Sequence, residues 1–208
     1  MSLVSYSFYI EIGYGDDIMT LPKKYVILGL DLSLSSTGWS VVTVDGENYK
    51  LVDYGYIPTD KLDHYDALLA IDKKLQSVIE KYKPDYSAIE QMFVGKNRDT
   101  AIKLGHIHGV ATLLLAKNKI PSCRYAVMTL KSKVTGGIKT KKEDGTKKTG
   151  NEMKEEVKRK IVEIFGVNSF IKEFNSDVTD SISAAYTFIL MDGKEIEKKK
   201  APRKKKTT

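Results

Sequence analysis

Apolar residues come first in three runs rich in β-branched and aromatic side chains, at 25–31 (Tyr-Val-Ile-Leu-Gly-Leu-Asp), 37–44 and 49–57. Short polar turns such as Asp45-Gly46-Glu47-Asn48 separate them, which predicts an antiparallel meander of three strands. Residues 62–82 change to helical spacing, with Leu62, Leu68, Leu69, Leu75 and Ile79 on one side, and Pro84 closes that helix. A strand at 86–90, a helix at 99–117 and a short strand at 122–127 leading into a helical turn follow. Two more helices are predicted, at 151–165 through Met153, Val157, Ile161 and Ile164, and at 177–191 through Ile182, Ala185, Tyr186 and Ile189. No internal repeat is present. A meander followed by alternating helix and strand predicts an α/β domain, a mixed five-stranded sheet flanked by helices.

Polar residues that interrupt this pattern carry the chemistry. Asp31 ends the first strand and Glu90 ends the fourth, while Asp177 and Asp180 are three apart and share one side of the last helix's first turn. Taken singly, Asp31 reads as a turn residue, and Asp177 or Asp180 as a helix cap or a first-turn acid favoured by the helix dipole. Glu90 is harder to place that way, because an ionised group at the end of a buried run costs several kcal/mol unless paired or metal-bound. If the two strands are neighbours and the helix crosses their ends, all four acids converge. Crowded carboxylates repel unless hard cations lie between them, and oxygen-only ligands suit Mg²⁺ or Mn²⁺. Such clusters carry out two-metal phosphodiester hydrolysis.

The length of 208 residues fits one domain with a real core. No apolar run reaches the roughly 18 residues of a membrane span, so no membrane partner is expected. Residues 1–24 lack the basic start and apolar centre of a signal peptide and are set apart as an N-terminal extension. A single cysteine, Cys123, excludes an intramolecular disulfide and fits a reducing compartment, with a cytoplasmic, nucleoid-associated location expected. Three histidines without ligand spacing argue against a zinc site.

The net charge of +7 is unevenly spread. Residues 194–208 hold eight Lys or Arg against two Glu, and residues 139–148 hold five Lys against two acids, which leaves a slightly acidic remainder. Basic segments on such a body point to a polyanion partner, nucleic acid above all. The stretch 139–150, with Gly145, Gly150 and many lysines, is expected to be a flexible loop.

Three segments, "YVILGLDLSLSSTGWSVV", "KPDYSAIEQMFVGKNRDTAIKLGHIHGVATLLL" and "FNSDVTDSISAAYTFI", resemble the RuvC family of Holliday-junction resolvases, whose fold is ribonuclease H-like. The resemblance covers roughly residues 25–190 outside the 139–150 loop. It implies that Asp31, Glu90, Asp177 and Asp180 form a catalytic tetrad holding about two Mg²⁺ or Mn²⁺ ions. It also implies that Phe93 inserts against bases at a junction, stacking worth about 1–3 kcal/mol. Lys131 in "TLKSKVTG" and Lys154 in "NEMKEEV" match basic residues that hold the scissile phosphate or stabilise transition-state charge. The implied partners are four-way or branched DNA and a second copy of the chain. The expected division is an extension at 1–24, a nuclease domain at 25–191 and a basic tail at 192–208.

Two departures stand out. Leu32-Ser33 occupies the place of the family's Pro-Gly after the first Asp, and the 139–150 loop is longer and more basic. The second suggests a grip on DNA arms without regard to sequence. Two other readings of the residues stay open. One is a catalytically inactive branched-DNA-binding module, against which an unused acid cluster would be a standing cost to the fold. The other is an actin-like or sugar-kinase ATP-binding domain, whose phosphate loop resembles "GLDLSLSSTG". That loop expects a glycine where this chain has Ser33, and such proteins are two-domain.

Overall fold

The computed structural model describes residues 22–92, 95–137, 146, 148–167 and 174–199, with side chains of the last helix as far as 192. Elements run in the order β1 (Lys24–Leu32), β2 (Ser36–Asp45), β3 (Asn48–Pro58), α1 (His64–Tyr82), β4 (Tyr86–Glu90), α2 (Arg98–Lys117), β5 (Ser122–Tyr125), α3 (Val127–Thr135), α4 (Gly150–Phe165) and α5 (Ser176–Lys199). The sheet order is β3-β2-β1-β4-β5. Its first three strands pair antiparallel, whereas β4 runs parallel to both β1 and β5. This is the expected mixed five-stranded sheet flanked by helices.

Strand alternation divides the sheet into two faces. Leu28, Leu30 and Leu32 of β1, with Val41 and Ile89, meet Ile71, Leu75 and Val78 of α1 and Ile107, Ala111 and Leu115 of α2. Tyr25 and Ile27, with Val42, Val44, Tyr86 and Ala88, meet Ala184, Ala185 and Phe188 of α5. A third cluster holds α4 against α5 through Val157, Ile161, Val178 and Ile182. By the same alternation Gly29 and Asp31 lie on the α5 face, as does Glu90 two residues beyond Ala88.

Gly29 and Gly38 decide how closely α5 approaches that face. A Cβ on Gly29 would stand 2.1 Å from the Ser181 carbonyl oxygen, and one on Gly38 would stand 2.0 Å from that of Asp177. The backbone of α5 therefore rests directly on β1 and β2. Gly38 is also the cross-strand partner of Asp31.

Local boundaries follow capping chemistry. Asp63 accepts bonds from the backbone N–H groups of Tyr65 (2.8 Å) and Asp66 (2.9 Å), so α1 begins at His64 and Leu62 falls in the preceding turn. Its buried stripe is Ala67, Ile71, Leu75, Val78 and Ile79, rotated from the expected one, and Leu69 is 66% exposed. Docking against the sheet and α2 sets that rotation, since the sequence offers apolar residues on more than one side. The helical turn after β5 is a nine-residue helix, α3, ended by Gly136 in the left-handed region (φ 72°). Thr149 and Glu152 form a reciprocal capping box that starts α4. The backbone of α5 continues past 191 to Lys199, so the first part of the basic tail is helical.

The glycine contact generates a test. Gly38→Ala places a methyl against rigid helix backbone rather than a yielding side chain, an overpacking that costs roughly 1–3 kcal/mol. In a chain of this size about 1 kcal/mol lowers the thermal midpoint by roughly 2–4 °C. A midpoint equal to wild type would show that α5 does not rest on β2 at this point.

Candidate active site

Three elements bring the acids together, each for a local reason. Parallel pairing of β1 with β4 runs to Leu30 opposite Ile89, so Asp31 and Glu90 are the next residues of adjacent strands, at their carboxyl ends. Strand neighbours are about 4.8 Å apart. The first turn of α5 lies over Gly38, beside Asp31, which brings Asp177 and Asp180 to the same end. The cap of α5 is Asn175, whose side-chain oxygen accepts the Val178 N–H at 3.0 Å. Asp177 and Asp180 are thus released from capping.

The groups act on one another electrostatically. Burial above all, with the charges of Glu90, Asp180 and Asp177 acting in the same direction and Lys154 opposing, pushes the Asp31 carboxyl up to about 9. Glu90 is raised to about 7 by burial and by Asp180, with Lys131 and Lys154 opposing. Asp180 is raised to about 6, chiefly by burial, while Lys154 and Lys131 pull it down. Each of these carboxyls is half-buried. Lys131 projects from α3 and Lys154 from α4, so five elements contribute to the cluster. The lysines offset part of the negative charge without cancelling it.

Between the starts of α4 and α5 lies a cleft of about 150 Å³, lined by Asn151, Lys154, Glu155, Lys158, Ser176, Thr179 and Asp180. Lys158 is a residue the sequence reading passed over. Its signal was its place one helical turn after Lys154, on the same side of α4. Gly29 and Gly38 were likewise passed over as positioning residues, because only the docked helix shows what a side chain there would strike. Phe93 lies outside the described residues, as do 139–145 and 147 of the basic loop and 200–208 of the tail.

Among the described residues, no three His, Cys, Asp or Glu side chains close up far enough to hold one metal ion. The acids surround a common space without forming a closed cage. The donor set itself is all carboxylate, which is the chemistry hard divalent cations take. The charge that raises Asp31 is what such cations would relieve.

A family model described as crossover junction endodeoxyribonuclease RuvC matches residues 27–151. The relative from Petrotoga mobilis is 43% identical over 112 residues, 53% of this chain and 69% of that protein. The one from Bacteroides fragilis is 31% identical over 178 residues, 85% of this chain and 88% of that protein. Both carry the same description. Among solved structures, T. thermophilus RuvC in complex with a Holliday junction substrate matches with a TM-score of 0.63 at 21% identity, over 78% of this chain and 92% of that one. The yeast mitochondrial Holliday junction resolvase matches at 0.55 and 13% identity, over 83% and 80%. The structural matches show a shared fold.

The raised Asp31 gives the metal-free protein a defined pH response. An unfolded Asp loses its proton near pH 3.9, whereas folded Asp31 holds its proton up to about 9. Between those values the folded state binds more protons, so this group makes stability fall as pH rises through the window. Asp31→Asn removes that loss. Its midpoint in chelator should exceed wild type by at least about 2–4 °C near pH 8 and converge with it near pH 4. Parallel curves across the whole range would show that Asp31 is not under this strain.

Proposed function

The chain belongs to the RuvC family of crossover junction endodeoxyribonucleases, and from that premise we propose that it resolves four-way DNA junctions, and other branched DNA, by paired symmetric nicks. The single observation that carries this reading is the placement of four acids and two lysines at the carboxyl ends of the sheet's central strands. Ligands of open α/β sheets gather at that end.

In this reading Asp31, Glu90, Asp177 and Asp180 would hold Mg²⁺ or Mn²⁺, two ions per site. Bound ions would supply an activated water and charge stabilisation at the leaving oxygen. Lys131 and Lys154 orient that phosphate and balance charge around it. Phe93, three residues past Glu90, stacks on an unpaired base at the junction centre.

Two further features support the partners. The lysine-rich stretch 139–150 falls in sequence between α3 and α4, the two helices that carry Lys131 and Lys154. Exposed apolar residues are concentrated on the opposite face, with Tyr65 (78% exposed) and Leu69 on α1 and Ile102 and Leu113 on α2. We assign this face to pairing with a second copy, which sets two sites to cut two strands.

Asp31→Asn, Glu90→Gln and Asp180→Asn should each remove junction cleavage while leaving junction binding intact or tighter, since affinity rests mainly on phosphate contacts with lysine. A variant that cuts at close to the wild-type rate removes its residue from the catalytic set. Wild-type protein that binds junctions but cuts none in Mg²⁺ or Mn²⁺ would favour the inactive binding module.

The basic tail makes a separate prediction. Each phosphate neutralised contributes about −0.9 to the slope of log affinity against log salt on duplex DNA. Deleting residues 194–208 should flatten that slope and weaken linear and branched DNA by similar factors. An unchanged slope would leave the tail as a solvated appendage.

A further inference from the structure

Away from the acids, on the face of the sheet covered by α1 and α2, two imidazoles meet. His64 begins α1 and His106 lies midway along α2. His64 Nε2 and His106 Nδ1 are 2.8 Å apart, with ring centroids 5.1 Å apart and planes inclined by 40°. His106 is exposed and His64 half-buried, so solvent reaches the pair. The nuclease chemistry proposed above uses neither residue. The third histidine, His108, is buried and occupied elsewhere, its Nδ1 3.1 Å from the Arg124 guanidinium.

We propose that His64 and His106 form a bidentate site for one divalent transition-metal ion per chain, of the imidazole-seeking class Zn²⁺, Ni²⁺ or Cu²⁺. In the metal-free protein one facing nitrogen donates its proton to the other. When each ring carries its proton on the far nitrogen, Nδ1 of His64 and Nε2 of His106, both facing nitrogens present lone pairs and no proton need leave the protein. Two nitrogens each about 2.0–2.1 Å from one ion stand roughly 3.0–3.4 Å apart. The observed pair is only a few tenths of an ångström short of that bite, which exposed side chains can supply by small rotations.

The supports are stiff. The Asp63 cap, with its two backbone bonds of 2.8 and 2.9 Å, fixes the first turn of α1 that carries His64. On the other side His106 is flanked by Gly105 and Gly109, where an added Cβ would meet nothing within 4 Å. That leaves room for the waters an ion would keep. Among the described residues no third His, Cys, Asp or Glu joins them, so water completes the coordination and the site stays open and exchangeable. Imidazole donors select against Mg²⁺, which prefers oxygen, so this site is chemically distinct from the acid cluster. An ion here would clip the start of α1 to α2 and hold the angle between two helices of the face assigned to pairing. The site itself rests on neither that assignment nor the nuclease reading.

With three histidines in the chain, ring proton signals can identify the ligands directly. On adding Zn²⁺ to full-length protein in excess Mg²⁺, the signals of His64 and His106 should shift to saturation together while that of His108 stays in place. Calorimetry with Ni²⁺ should give one ion per chain through these residues. Loss of even an outer-shell partner weakens metal sites by 10–100-fold, so His64→Gln and His106→Gln should each weaken this binding by about tenfold or more. Both variants should keep wild-type circular dichroism, and the ring signals serve as the readout should either misfold. Unmoved His64 and His106 signals, or Ni²⁺ affinity unchanged in both variants, would overturn the proposal.

Discussion

Backbone-to-backbone packing of α5 on β1 and β2 is the contact on which the rest of the arrangement depends. Where Gly29 and Gly38 stand, the helix carbonyls of Ser181 and Asp177 come closer than any side chain would permit. Because Gly38 is registered opposite Asp31, the same contact fixes both the height of the helix and the place of its first-turn acids. Small residues continue this approach along the helix, with Ser181, Ser183, Ala184 and Ala185 all buried. A larger residue at either glycine would lift the helix and spread the acids, so fold and site share one geometric requirement.

That requirement creates an electrostatic one. Holding Asp31, Glu90 and Asp180 together half-buried raises all three well above ordinary carboxylates. Lys131 and Lys154 reach the cluster from α3 and α4, helices that pack on α5 rather than on the sheet centre. They moderate the repulsion but leave an excess of negative charge. A site in that state is poised for cations, and its strain is localised where chemistry is proposed.

The two faces of the sheet differ in character. The α5 face carries the cluster of acids and lysines. The α1–α2 face carries exposed apolar residues and the histidine pair. On the proposed reading, such a division would let a polyanion and a protein neighbour be engaged at once without competing for surface.

What the sequence determined by itself is what local physics determines. Short apolar runs bounded by polar turns marked the strands, and the 3.6-residue period marked the long helices, because burial imposes those patterns directly. Asp31 and Glu90 were legible because a charge terminating an apolar run is costly, and Asp177 with Asp180 because three-residue spacing shares a helix face. The resemblance to a known family rested on the same short segments. Beyond their reach lay whatever depends on residues distant along the chain. The pairing of β1 with β4, the seating of α5 on two glycines, the rotation that exposes Leu69 and the meeting of His64 with His106 across 42 positions belong to this group. Each is decided by which surfaces meet after the elements form, and no local pattern encodes a contact whose partner lies elsewhere in the chain.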